Sequence, residues 1–198
     1  MNFLAELFLH GTIIRGLPIP IVRTVLKFLK TLFGAADASM PTSPVVYPRP
    51  MAEIVEYLVL LQTQGTAPSR GRQGSLLRLA RALSEDAYCL GYLNGMFDAL
   101  CQQWDVPAGE RRLVTGSACT LLFRDLLDGC CDLRTAATIE DAAFNRAHAV
   151  AGDPEFLRGK FDGCTELTRY TVTKDSKDMP AKLHERLKQL AATPELAA

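Results

Sequence analysis

The sequence predicts an all-α protein: an irregular helical bundle with a long central helix over about residues 75–104, preceded by an amphipathic N-terminal helical arm. Two observations carry that prediction. No stretch alternates apolar and polar residues as a half-buried strand would. From Leu76 the positions Leu76, Ala80, Leu83, Ala87, Leu90, Asn94, Phe97, Cys101 and Trp104 follow steps of four and three without a slip. Eight of those nine are non-polar, which makes one continuous helical stripe. The bulk properties agree with a globular chain. It has 198 residues, 48% hydrophobic and 22% charged, enough to bury a core without a metal or disulfide.

Three segments follow from composition: residues 1–36, an amphipathic basic arm; 37–50, a proline-rich linker; and 51–198, a helical bundle domain. In the arm, Phe3, Leu7 and Phe8 form a first apolar patch, before a break at Gly16-Leu17-Pro18. From Ile21 the residues Ile21, Val22, Val25, Leu26, Leu29, Leu32 and Phe33 share one helical side, and Arg23, Lys27 and Lys30 the other. Such a helix suits a groove on a protein partner or an anionic membrane surface. It is too interrupted by charge to span a bilayer: its longest uncharged run, Leu7 to Ile14, has eight residues. The positive start of a secretory signal is missing, since Glu6 is the only charge before Arg15. In "DASMPTSPVVYPRP" four prolines remove amide donors and favour extended backbone, so the segment reads as a linker.

Within the bundle, Met51, Ile54, Val55 and Leu58 predict a helix over about 51–64, and "GTAPSRGRQG" ends it. The stripe from Leu76 to Trp104 resembles a coiled-coil seam. However, Leu77, Tyr88, Leu93 and Leu100 widen it into the face of a central helix touched from several sides. Gly91 and Gly95 in "GYLNG" predict close approach of another helix, and Asn94 between them is placed to fix register. Pro107 suits a first helical turn, and the next helix is expected to reach Arg134 with Leu113, Ala118, Leu122, Leu126 and Leu133 inward. Thr138 before Glu140 and Asp141 reads as a helix start, with the helix ending at Gly152. Asp153-Pro154-Glu155 opens another, to about Thr171. A last helix is expected over about Met179 to Ala192, with Leu183, Leu187 and Leu190 on one face.

The search for chemistry yields little. There is no CxxC, HxxxH or HExxH, no GxSxG elbow and no P-loop ending, so no catalytic residue, metal ligand or cofactor site is assigned. The six cysteines, Cys89, Cys101, Cys119, Cys130, Cys131 and Cys164, sit among apolar residues and read as reduced core filler. That favours a reducing, cytoplasmic setting. The charge is unevenly spread: residues 1–82 carry nine Lys/Arg against four Asp/Glu, and residues 83–198 thirteen against eighteen. Arg70, Arg72, Arg78 and Arg81 fall within twelve residues with no acid between them, a candidate contact for an anionic partner. The balanced total charge and the absence of aromatic residues among the arginines disfavour nucleic acid.

The expectation is therefore a non-catalytic structural or adaptor subunit that joins protein partners in a larger assembly through its arm. Two alternatives stand beside it: a cysteine-based redox or metal-binding helical protein in which His148 and Cys164 meet across neighbouring helices, and an anionic-ligand module using the Arg70–Arg81 cluster, its ligand a lipid headgroup or a nucleic acid.

Overall fold

A computed structural model describes residues 47–63 and 72–192. Of these residues 85% are helical and none is in a strand, so the chain is all-α, as its apolar spacing predicts. The helices are α1 (Pro48–Thr63), α2 (Arg72–Glu85), α3 (Ala87–Gln103), α4 (Ala108–Leu127), α5 (Leu133–Ala149), α6 (Pro154–Thr173) and α7 (Lys182–Ala192). A short 3-10 turn, Ser176–Asp178, precedes α7.

Helix α3 is the axis of the bundle. It packs against each of the other six described helices, and most extensively against α6. Its sequence explains that position. Tyr88, Cys89, Leu90, Tyr92, Leu93, Met96, Phe97, Ala99, Leu100 and Cys101 are all buried, so the helix is apolar nearly all round. A helix of that kind is stable only when other helices surround it. Around it, α1 lies on α4, and α2 lies on α4 and α5. Met51, Val55 and Leu58 of α1 and Leu122, Phe123 and Leu126 of α4 complete the core.

Apart from α7, which begins at Lys182 rather than about Met179, four boundaries differ from the sequence-based expectation. The long central helix over 75–104 is two helices, broken at Asp86. That residue has extended backbone (φ −91°, ψ 125°), and its carboxylate accepts the Cys89 amide at 2.9 Å. Aspartate competes with helix-interior geometry by bonding nearby amides, and here it caps α3 instead. The apolar stripe runs through the break because both helices bury the same side, so periodicity alone does not reveal it. The second difference is at α1, which begins at Pro48 rather than Met51. Pro48 and Pro50 occupy its first turn, where proline's missing amide costs nothing.

The third and fourth concern residues 107–151. Helix α4 stops at Leu127 rather than Arg134. Gly129 turns the chain with φ +66°, so Cys130 and Cys131 lie in a turn and not on a helix. Leu133, expected inward, is 90% exposed, and Leu113 is 67% exposed, whereas Ala118, Leu122 and Leu126 are buried as expected. Helix α5 starts at Leu133, not near Thr138. Asp132 supplies the cap by accepting the Thr135 amide at 2.9 Å. The Thr138 hydroxyl instead donates back to the Arg134 carbonyl. Asp153 caps α6 through the Glu155 amide at 2.7 Å, as its sequence signal predicts.

Candidate functional site

The α3–α6 seam is where the sequence concentrates unusual residues. Gly91 and Gly95 on α3 face Gly159 and Gly163 on α6. A Cβ added at Gly91 would overlap the Phe156 carbonyl oxygen, and one at Gly95 that of Lys160. In return, a Cβ at Gly159 would overlap the Tyr88 carbonyl oxygen, and one at Gly163 that of Tyr92. Four glycines, two per helix and one turn apart, thus let two backbones touch. The close helix approach expected from "GYLNG" is present, and it has a partner of the same spacing on α6.

The same register places two tyrosines opposite two acids. The Tyr88 hydroxyl donates to Asp162 Oδ2 at 2.9 Å, and the Tyr92 hydroxyl to Glu166 Oε2 at 2.6 Å. Both acids are buried. Burial raises the pKa of each phenol above its ordinary value, and the facing carboxylate adds to the effect. Both tyrosines are therefore fixed as proton donors.

The N-terminal end of α7 completes the network. Glu166 Oε2 also accepts the Ala181 and Lys182 amides at 3.1 and 3.2 Å. Lys182 Nζ reaches Asp162 Oδ1 at 2.5 Å. Arg186 forks onto Asp86, with Nη2 to Oδ2 at 2.7 Å. For Asp86, burial works to raise the carboxyl, but the Arg186 fork and the Cys89 amide outweigh it and hold it below the usual range. The guanidinium groups of Arg158 and Arg186 lie over the Tyr88 ring, 5.0 and 5.8 Å from its centroid. Each carboxylate accepts from more than one donor, so the chemistry on display is the binding together of three helices.

The opposite side of α6 is the second notable surface. At about 100° per residue, Leu157, Phe161, Cys164, Thr168 and Val172 fall in one sector of roughly 80°, turned away from Gly159 and Gly163. Leu157, Phe161 and Val172 are 52%, 70% and 77% exposed. Helix α6 therefore has two different sides, one of glycines and buried acids closed on α3 and one carrying large apolar side chains outward. Leu157, Phe161 and Val172 are three of the large apolar side chains exposed among the described residues.

The positions singled out in the sequence are distributed as follows. Phe3, Leu7, Phe8, Ile21, Val22, Arg23, Val25, Leu26, Lys27, Leu29, Lys30, Leu32 and Phe33, with Arg70, lie outside the described residues. Arg72 begins α2, and Arg78 and Arg81 stand exposed three residues apart on one face of it. The Arg78 Nε donates to the Gly74 carbonyl.

All six cysteines are free thiols, and burial pushes those of Cys89 and Cys119 upward, Cys119 to about 12. His148 meets the Phe144 ring edge-on at 4.7 Å. Among the described residues no three of His, Cys, Asp and Glu gather as a metal-holding group, and no helix is long and apolar enough to cross a membrane. No family model, no curated protein and no solved structure matches this chain.

Sequence reasoning passed over Asp162, Glu166, Tyr88 and Tyr92 as a group. The signal was present: "GKFDG" repeats the glycine spacing of "GYLNG", and both the tyrosines and the acids are four residues apart.

Proposed function

We propose that this chain is a non-catalytic interaction subunit, a rigid helical platform that joins a larger protein assembly. The observation that carries the reading is the outward side of α6, where Leu157, Phe161 and Val172 are exposed on a helix whose other side is locked to the core. A platform needs a fixed backbone beneath its contact residues. The glycine seam and the tyrosine–acid pairs supply it by leaving α6 little freedom to shift. The basic amphipathic pattern of residues 21–33 is a second contact of the same class, suited to a partner groove or an anionic membrane surface in a cytoplasmic setting.

The test is recovery of partners from native cells with three tagged forms. The native chain is expected to retain a defined set of proteins. Phe161→Glu and a deletion of residues 1–36 are each expected to lose members of that set while keeping the native helical circular dichroism. Recovery of the same set by all three forms would refute the proposal.

A further inference from the structure

Helix α7 is held to the bundle by different forces from those that hold its neighbours. It buries only Leu183 and Leu187, whereas α3 buries side chains around its whole circumference. The rest of its hold is polar and drawn from one place. Glu166 on α6 takes the amides of Ala181 and Lys182. Asp162 on α6 takes the Lys182 ammonium. Asp86, the cap of α3, takes the Arg186 fork, and Glu155 lies 3.8 Å from Arg186 Nη1. Every acceptor in this set belongs to the body of the bundle, and every donor belongs to α7 or the residue before it.

The fit is also incomplete. His184 Nδ1, on the first turn of α7, is buried with no hydrogen-bond partner. A buried polar atom without a partner favours any state that returns it to water. Opening of α7 does so for His184. The side chains of Lys182 and Arg186 remain partly exposed, so dissolved ions reach them.

We propose that α7 is a charge-held strap, which lifts as a unit while α1 to α6 stay folded and so bares the Tyr88–Asp162 and Tyr92–Glu166 pairs as an acidic, aromatic surface. The side chains that the seat holds define what could replace the strap there. It is a basic helix with two leucines four residues apart, a lysine preceding the first and an arginine preceding the second.

Hydrogen exchange by mass spectrometry on the full chain tests this. Raising the salt from about 0.05 to about 1 M shortens the screening length from over 10 Å to about 3 Å. Exchange of the α7 amides should then speed up about tenfold, as local opening requires, with the α3 and α6 amides unmoved. Arg186→Ala should give the same local acceleration at low salt and leave little further response to salt. If α7 exchanges at the rate of α3 in both salts, or if salt accelerates every helix alike, the strap is refuted. Should Arg186→Ala unfold the whole chain, the salt comparison on the native chain decides alone.

Discussion

Glu56 offers a quantitative test of how the α1–α4 contact is balanced. Arg49 on α1 donates to both Asp125 oxygens on α4 at 2.9 and 2.7 Å, and to Glu53 at 3.1 Å. Glu56 is thus a third carboxyl beside one guanidinium. Burial raises its pKa from 4.5 to about 7, with the Asp125 charge adding to the effect and Arg49 opposing it. The folded state therefore holds this proton more tightly than the unfolded state does. The associated stability is fully present below pH 4.5 and is lost as pH rises through 7. At about 1.36 kcal/mol per pKa unit the full effect is roughly 3 kcal/mol. The side chain is only half-buried, so solvent screening reduces that to about 1–2 kcal/mol. Glu56→Gln carries no charge to desolvate. Its urea-unfolding free energy should match that of the native chain near pH 4.5 and exceed it by about 1–2 kcal/mol at pH 8.5. Taking the difference between the two chains cancels the titrating groups that do not interact with Glu56. A gap that stays constant from pH 4.5 to 8.5, or one that closes as pH rises, would show that Glu56 is not held protonated by its surroundings.

Four further outcomes are expected. Gly95→Ala drives a methyl into the Lys160 carbonyl and should cost about 3 kcal/mol or more by urea unfolding. Gly109→Ala, which meets nothing within 4 Å near the start of α4, should be neutral or gain up to about 1 kcal/mol. Equal effects at the two glycines would contradict the close seam. Asp105 ends α3 with φ +50°, while Val106 N bonds Cys101 O at 2.9 Å and Asp105 N bonds Gln102 O. That is a position glycine occupies without strain, so Asp105→Gly should raise the urea-unfolding free energy by about 0.5–1 kcal/mol, and a lowered value would refute the assignment. Tyr92→Phe removes one of three donors to buried Glu166 and should cost about 1–3 kcal/mol in the same urea assay. An unchanged midpoint would mean that Glu166 is satisfied by the α7 amides alone.

How much of the fold is legible in the sequence depends on which force places each element. The all-α class, the burial of α3 and the α6 start at Asp153 come from repetition and from local capping, and both are written in consecutive residues. The break at Asp86 is different. Apolar spacing reports which side of a helix is buried, and that side does not change across the break. What interrupts the helix is one carboxylate choosing the Cys89 amide and then receiving Arg186 from one hundred residues away. The aspartate alone is a weak signal, because acidic residues are also common on exposed helix faces. Leu133 fails for a related reason. Its spacing from Leu126 suits a continuous helix, but Gly129 ends α4 between them and resets the face.

The α3–α6 seam shows the same limit at the level of the site. Taken singly, Asp162 and Glu166 look like solvated helix residues, since carboxylates are rarely buried without partners. Taken with Gly159 and Gly163, they describe a helix side that combines absent side chains with charged ones. Neither feature suits water or an ordinary apolar core. The two become consistent only when another helix presents glycines at the same spacing, with hydrogen-bond donors four residues apart. "YCLGYLNG" presents both, so the pair of helices is matched in the sequence. The match is between segments about seventy residues apart, and single-helix periodicity does not compare them. The outward side of α6 then follows: with its inner side committed to α3, Leu157, Phe161 and Val172 have no place in this core. With α7 seated, the exposed side of α6 therefore carries its large apolar side chains outward, while the tyrosines and acids stay buried against α3.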